Sequence, residues 1–146
     1  MARYEEHPSK VSAWKEGSFV VAAFAEDADC TVWMAFGEDD DGEPAWEGLL
    51  AKRLNESRAR IAAVPFWVYD LNVADEVEIV PSAEGPLVAT RLVLDAGNVT
   101  FRVVFQDDDQ WERLMRDLEQ HHCWFDVRSP RLVALSAPPT TATAVA

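Results

Sequence analysis

Three charged side chains are the first candidates for chemistry in this chain of 146 residues. Glu76, Arg91 and Arg102 lie in three successive segments that alternate like strands, and the predicted register brings them side by side on an outer face. Two guanidinium groups can bind a carboxylate or a phosphate, because each presents a fork of donors. The alternative is an ion-pair ladder in which Glu76, with Glu47 or Asp75, neutralises the positive charge.

Two other clusters contain residue types that bind metals, but neither has the spacing of a metal site. His121, His122 and Cys123 are consecutive, and consecutive helical residues diverge by about 100°, so in a helix they cannot converge on one ion. Only an unwound chain would bring His121 and Cys123 to the same side. The acidic run 37–44 (GEDDDGEP) would place glycines at the first and twelfth positions of an EF-hand. A histidine and a cysteine are also the residue types of a base and a nucleophile, but the sequence does not show the geometry between them. We predict no metal and no cofactor, since phosphate-loop and hydrolase motifs are also missing from the sequence.

A predicted β-hairpin brings the two arginines together. The turn residues of 95–98 (DAGN) separate two runs of alternating apolar residues. A two- or four-residue loop sets Leu94 opposite Val99 and Arg91 opposite Arg102, with the apolar sets on one face. A three-residue loop would put the apolar sets on opposite faces, and we reject it for that reason.

A second predicted hairpin adds the carboxylate. The run 81–86 (PSAEGP) is a turn by composition, and it follows a strand that begins at Glu76. Pairing the inward-facing residues sets Ile79 opposite Val88, which places Glu76 opposite Arg91.

The first half of the chain predicts short strands and loops. The first dozen residues lack periodicity, so we expect a loose end, and the apolar run 18–24 predicts a first strand. Residues 46–54 fit a helix or a strand equally. Phe66, Trp67 and Tyr69 form an aromatic group that we expect to lie in the core rather than to bind a ligand.

The last third predicts one helix and a final strand. Apolar residues recur at helical spacing over residues 109–123, with Asp109 as the N-cap and His122 at the end of the stripe. Residues 132–135 predict a strand. We expect residues 136–146, rich in Pro, Thr and Ala, to form a disordered tail after a single domain of residues 1–135.

Composition and charge limit the classes of function. The chain is 49% hydrophobic with a net charge of -13, and residues 1–50 hold 12 acidic and 3 basic side chains. Such a surface repels nucleic acid and anionic membrane and favours a basic protein partner. No apolar run is long enough to span a membrane, and the first ten residues lack the apolar core of a signal peptide. We expect a cytoplasmic protein with two reduced cysteines.

Four segments in order resemble the bacterial family called domain of unknown function 4265. Its members have an acidic residue ahead of an apolar-Ala-Lys/Arg segment, an Ile/Val-Pro-Phe step, a Gly-Asp-Val-Val strand start and a Ser-Gly-Asn-x-Thr-x-Arg hairpin. The resemblance covers roughly residues 30–135. The matching segments are 46–53 (WEGLLAKR), 64–66 (VPF), 74–77 (ADEV) and 97–103 (GNVTFRV).

The resemblance implies no activity, but it implies that residues 46–54 form a strand. Three positions depart from the family pattern, with Ala74 in place of Gly, Glu76 in place of Val and Ala96 in place of Ser. The resemblance also directs attention to the residues that match the family's polar positions, which are Glu47, Asp75, Asn98, Thr100 and Arg102.

These observations predict an α+β fold, with a small, mostly antiparallel sheet or partly open barrel, one amphipathic C-terminal helix and a final strand. The leading hypothesis for function is a noncatalytic binding or regulatory protein, for example an inhibitor or immunity-type protein with an acidic surface. The alternative is a small enzyme or anion-binding protein that uses the row of arginines and carboxylates. The oligomeric state is left open.

Overall fold

The structure is a computed structural model that describes residues 3–7, 10–38, 40–107 and 110–139. In this part of the chain, eleven strands form two sheets, with two α-helices and one 3-10 turn. The elements in chain order are β1 (Arg3–Glu6), β2 (Ser12–Lys15), β3 (Ser18–Val21), α1 (Ala23–Glu26), β4 (Cys30–Glu38), β5 (Pro44–Asn55), β6 (Arg58–Ile61), β7 (Glu76–Pro81), β8 (Leu87–Leu94), β9 (Val99–Val104), α2 (Gln110–Leu118), the 3-10 turn (Glu119–His121), β10 (Trp124–Ser129) and β11 (Leu132–Ala137).

The first sheet closes into a barrel of five strands. Its order is β5-β4-β8-β7-β6, and β6 pairs back onto β5. β1 adds to a free part of the β5 edge in parallel orientation. Alternate residues of each strand point inward, as a half-buried strand requires, so Val77 and Ile79 are buried as predicted. The core of the barrel also contains Val32, Leu49 and Ile61.

A glycine on β5 allows an unusually close contact inside the first sheet. Gly48 lies opposite Trp33 of β4, and a Cβ atom added at Gly48 would lie 2.8 Å from the indole ring. Any larger residue at position 48 would displace this indole. The neighbouring side chain on β5 is Glu47, which is fully buried.

The second sheet has the order β3-β2-β10-β11-β9 and packs between the barrel and α2. Met115 and Leu118 of α2 are buried against Phe125 and Leu135. Both helical residues belong to the predicted apolar stripe, so the stripe is confirmed at these two positions. The opposite face of the sheet contributes Ala134 and Trp124 to the core around the barrel.

The predicted hairpin of β8 and β9 is wrong. β8 pairs with β4 and β7 in the barrel, whereas β9 pairs with β11 in the second sheet. The 95–98 link does not form a two-residue turn, because the Ala96 N–H donates to the buried Asp75 carboxylate and the Asn98 side chain donates to the Val73 carbonyl. These tertiary hydrogen bonds fix the link as a crossover between the sheets.

The hairpin of β7 and β8 is confirmed, but its predicted register is wrong. Two irregularities shift the pairing, so Ile79 lies opposite Ala89 rather than Val88. Arg91 lies opposite Glu78 rather than Glu76. A bulge moves each later residue by one position, and alternation of apolar residues alone does not reveal it.

The chain termini differ from the predictions as well. The first residues are not loose, because β1 pairs with β5 and the His7 side chain is buried. The helix ends at Leu118 with a 3-10 turn to His121, and the left-handed His122 is exposed rather than part of the apolar stripe. β11 extends to Ala137, so residues 136 and 137 belong to the sheet and not to the predicted tail. Asp109 and residues 140–146 lie outside the described residues.

The predicted α+β class broadly fits the structure. The differences are a closed barrel, a separate second sheet, two parallel strand pairings and the short additional helix α1. The strand predicted from the family resemblance at residues 46–54 is confirmed, since these residues lie inside β5. Among the described residues, no helix has both the length and the apolar character needed to cross a bilayer.

Candidate functional site

The most unusual region of the protein is the link between β6 and β7, residues 62–75, which we call the connecting segment. It contains no helix or strand, yet most of its apolar side chains are buried. Buried backbone N–H and C=O groups must find hydrogen-bond partners, and in the described chain the neighbouring strands supply backbone partners only near the two ends of the segment, at Ala62, Ala74 and Asp75. Side chains from other elements therefore have to bind the backbone of this segment.

Glu47 of β5 binds three successive backbone N–H groups of the connecting segment. Its Oε2 accepts from Phe66 at 2.8 Å, and its Oε1 accepts from Trp67 at 3.1 Å and from Val68 at 3.0 Å. Hydrogen bonds to a carboxylate are stronger than those between neutral groups. One buried side chain thus fixes the turn of the chain around Trp67.

Arg102 of β9 binds the carbonyl groups of the same turn. Its Nε donates to the Phe66 carbonyl at 3.0 Å and its terminal nitrogen donates to the Val68 carbonyl at 2.5 Å. The guanidinium also lies 4.4 Å from the centre of the Tyr69 ring. Glu47 and Arg102 therefore satisfy the donors and the acceptors of one short stretch from two different sheets.

The C-terminal end of the connecting segment has a second set of polar contacts. Asp75 accepts from the N–H groups of Asn72 and Ala96, each at 2.9 Å. Asn98 donates to the Val73 carbonyl at 2.9 Å, and the Thr100 hydroxyl donates to the Asn72 side chain at 2.5 Å. Burial raises the pKa of Asp75, and the two backbone hydrogen bonds oppose this shift.

All five residues at the family's polar positions thus contact the connecting segment. Glu47 and Arg102 hold its middle, and Asp75, Asn98 and Thr100 hold its end. The structure brings these five residues to one segment, although they come from β5, β9 and the links between strands.

Two further residues complete the buried group, and the sequence analysis did not select either. His7 follows β1, with its Nε2 2.7 Å from Glu47 and its Nδ1 3.2 Å from Asp126 of β10. Asp126 also accepts from the Val64 N–H at 2.9 Å. The exposed fractions of the three side chains are 3%, 1% and 0%. A possible signal for Asp126 was its position inside the apolar run WFDV of residues 124–127, whereas the sequence around His7 gave none.

The charges of this group balance each other. Burial alone lowers the pKa of His7, but hydrogen bonds and negative charges from Asp126 and Glu47 raise it to about 9. Burial acts to raise the pKa of Glu47, while His7 and the backbone donors outweigh it and lower the pKa. His7 is therefore protonated at neutral pH and donates from both ring nitrogens. Two carboxylates, one imidazolium and the nearby Arg102 leave little net charge.

In this arrangement both ring nitrogens of His7 are already paired. A protonated His7 with both nitrogens bonded has no lone pair for a substrate proton or for a metal. The thiols of Cys30 and Cys123 are also not activated, because burial raises the pKa of each, with Asp29 adding to the shift at Cys30.

The predicted row of Glu76, Arg91 and Arg102 does not form. Arg91 is exposed on the barrel, where it pairs with Glu78 at 3.2 Å, and Arg102 lies in the other sheet. Glu76 is 3.6 Å from Arg58 and 3.9 Å from Arg60. The alternative function based on this row therefore loses its geometric basis. Whether any of the predicted site residues binds a ligand stays a prediction.

Comparisons with known proteins agree with the fold and the family resemblance. The sequence profile of the domain of unknown function (DUF4265) matches residues 47–145, which confirms the predicted resemblance. A solved structure described as a novel crystal structure of a hypothetical protein from Neisseria gonorrhoeae has a TM-score of 0.65 at 19% identity, covering 77% of this chain and 78% of that chain. At this identity the likeness extends to the fold alone. No match to a curated protein was found.

Proposed function

The chain belongs to the family of the domain of unknown function (DUF4265), and we propose that this member is a noncatalytic binding or regulatory protein with a basic partner protein. An inhibitor or an immunity-type protein would act in this way. We further propose that it works in the bacterial cytoplasm. The acidic surface that the proposal requires includes the turn between β4 and β5.

The use of the polar residues supports a noncatalytic role. The family's polar positions are occupied by hydrogen bonds to the connecting segment, and His7 is bonded through both ring nitrogens. A catalytic group must reach a substrate, whereas these groups are buried or half-buried and already paired. Their common effect is to hold one irregular segment in a single conformation.

The outer side of the connecting segment supports a binding role. Tyr69 is 74% exposed, contrary to its predicted place in the core, and the adjacent Asp70 is exposed too. The Arg102 guanidinium lies against the Tyr69 ring from the protein side. A rigid, exposed tyrosine is typical of the side chains that anchor protein interfaces, because little entropy is lost when it is covered.

The observation that carries the proposal is the contact between this segment and the end of β4, the strand that leads into the acidic turn. Phe36, at the end of β4, stacks on Trp67 of the connecting segment with ring centres 6.0 Å apart. The turn that follows Phe36 has exposed carboxylates in its described part, namely Glu38, Asp40, Asp41 and Glu43. A basic partner could thus contact an aromatic anchor and a negatively charged turn on neighbouring surfaces.

Two arginines lie beside the same aromatic pair. Arg3 is 5.5 Å and Arg128 is 5.9 Å from the Trp67 ring centre. Both form ion pairs with Glu5 at 2.8 Å, which offsets part of their charge. We therefore expect a basic partner to be attracted by the turn rather than by the surface over Trp67.

The test is affinity capture from the native host, at low and at moderate salt, with three versions of the bait. The first is the natural protein. The second neutralises the turn by Glu38→Gln, Asp40→Asn, Asp41→Asn and Glu43→Gln. The third neutralises four exposed carboxylates elsewhere, by Glu26→Gln, Glu84→Gln, Glu112→Gln and Asp117→Asn. The captured proteins are identified by mass spectrometry.

We expect the natural bait and the third bait to retain a basic protein at low salt and to release it as the salt concentration rises. The second bait should not retain this protein. Tyr69→Ala should weaken the same capture. Recovery of the same proteins by all three baits, or of no basic protein by the natural bait, would overturn the proposal.

A further inference from the structure

A cavity of about 660 Å³ lies at the β3 end of the second sheet. β2 and β3, residues 22–24, Glu119 and residues 122–125 line it. Most of its wall is apolar and comes from Val20, Val21, Phe24 and Trp124. Natural small-molecule sites have volumes of roughly 300–1,000 Å³, apolar walls and a few polar groups, so the cavity has the dimensions of such a site.

The wall includes apolar surface that the described part of the fold leaves uncovered. Val20 is 45% and Val21 is 39% exposed, although both lie in a strand that borders the core. Phe24 and Trp124 pack edge to face with ring centres 5.2 Å apart and form an aromatic part of the wall. Covering such a surface with an apolar ligand is favourable, because water is released from it.

The polar groups at the rim indicate the charge of the ligand. Lys15 and His122 make no ion pair with any residue of the described chain. Among the described residues that line the cavity, Glu119 is the only acidic one, and one of its oxygens accepts the Glu16 N–H at 2.7 Å. The rim therefore has two basic side chains that no carboxylate of the described chain pairs with, on a protein with a net charge of -13.

We propose that this cavity binds a small amphipathic monoanion. Its apolar body would pack on Val20, Val21, Phe24 and Trp124, and its carboxylate or related anionic head would bind at Lys15 and His122. The ammonium and imidazole groups supply donors to an anion, and the apolar wall supplies the area for a hydrocarbon chain or an aromatic ring. This site is separate from the proposed surface for a protein partner, because none of its described lining residues belongs to the acidic turn or to the connecting segment.

Decanoate is a suitable probe, because it combines one carboxylate with a flexible apolar chain. Titrated into the isotope-labelled full chain, it should shift the NMR signals of Val20, Val21 and the Trp124 indole and leave that of Trp46 unchanged. Decylamine has the same chain with the opposite charge, and we expect it to bind at least tenfold more weakly.

Two variants test the rim and the wall separately. The double variant Lys15→Gln, His122→Asn should raise the Kd of decanoate about tenfold, because it loses charge-assisted hydrogen bonds to the head group. Asparagine is chosen at position 122 because it tolerates the left-handed backbone found there. Lys10→Gln is the matched control, since Lys10 is exposed and does not line the cavity, and it should leave the Kd unchanged.

Val20→Trp should abolish decanoate binding by filling the cavity, and an unchanged amide spectrum of β7 and β9, which do not line the cavity, will show that this variant folds. The proposal is overturned by any of three results: no shift at Val20, Val21 or Trp124, equal binding of decanoate and decylamine, or a double variant that binds decanoate like the natural protein.

Discussion

Arg91 and Arg102 show how two regions of the molecule use the same residue type in different ways. Arg91, on the outside of the barrel, is exposed and pairs with the exposed Glu78. Arg102, at the connecting segment, is half-buried and binds two carbonyl groups that have no strand or helix partner. Water can replace the contacts of the exposed ion pair between Arg91 and Glu78. The hydrogen bonds of Arg102, in contrast, take the place of those that regular secondary structure would have supplied.

The same contrast applies to the carboxylates. Glu78 accepts from Thr90 and Arg91 on an open surface. Glu47 is fully buried and accepts from three backbone N–H groups and from His7. In this chain, the polar residues at the connecting segment thus bind its backbone, whereas those on the barrel surface bind each other.

The largest effect is expected for Glu47. Glu47→Gln keeps the shape but removes the charge, and it directs an amide N–H₂ group at donors that need an acceptor. Breaking a buried ion pair in this way costs roughly 3–5 kcal/mol of unfolding free energy. Urea denaturation measures the loss. Glu78→Gln on the outer face is the matched control and should unfold at the same urea concentration as the natural protein.

The next effect is a dependence of stability on pH that originates at His7. Because the folded-state pKa of about 9 exceeds the unfolded value of 6.5, the stabilisation is complete below pH 6.5 and is lost as the pH rises through 9. Each unit of pKa corresponds to about 1.4 kcal/mol, so the loss is about 3 kcal/mol. Glu47, with its lowered pKa, contributes stability above pH 4.5 and loses it in acid.

Urea denaturation of the natural protein and of His7→Gln between pH 6.5 and 9.5 measures this dependence. The variant should be less stable at pH 6.5 and should show a much flatter profile. Parallel profiles for the two proteins would show that His7 is not the titrating group.

The arginine pair gives a smaller difference. Arg102→Ala leaves the Phe66 and Val68 carbonyls without their donor, and unsatisfied buried groups cost about 1–3 kcal/mol. Arg91→Ala removes an exposed ion pair and should leave the unfolding free energy nearly unchanged. Thermal and urea unfolding of the two variants provide the comparison, and equal losses would remove the distinction between the two regions.

The smallest effect is a gain in stability. Ala74 has a φ of +70°, a left-handed conformation that glycine adopts without strain. Ala74→Gly should therefore stabilise the protein by about 0.5–1 kcal/mol. Ala96→Gly, at a position that has no positive φ, should be slightly destabilising instead. A loss of stability in Ala74→Gly would contradict this explanation.

The sequence predicted the local elements better than their partners. The alternation of apolar residues over residues 76–80 correctly predicted which side chains of this strand are buried. The helical spacing did the same for Met115 and Leu118. The turn composition of residues 95–98 favoured a hairpin. Composition cannot show the tertiary hydrogen bonds of Asp75 and Asn98 that connect this link to the connecting segment. The predicted row of arginines failed with this hairpin.

The candidate site was predictable only in part, and through the family resemblance rather than through periodicity. The resemblance selected Glu47, Asp75 and Arg102 without indicating that all three bind the same segment. His7 and Asp126 are 119 positions apart, and no local pattern links residues at such a separation. Contacts of this kind depend on the packing of the two sheets.

Native-state hydrogen exchange at the Phe66, Trp67 and Val68 amides tests the central claim most directly, which is that the polar residues hold the connecting segment in place. Arg102 does not bond these three N–H groups itself, so a change in their exchange reports opening of the segment. In Arg102→Ala we expect them to exchange at least about tenfold faster, while the Val77 and Ile79 amides of the barrel and all amides of Arg91→Ala keep their protection. Unchanged exchange at these three amides in Arg102→Ala would contradict the account.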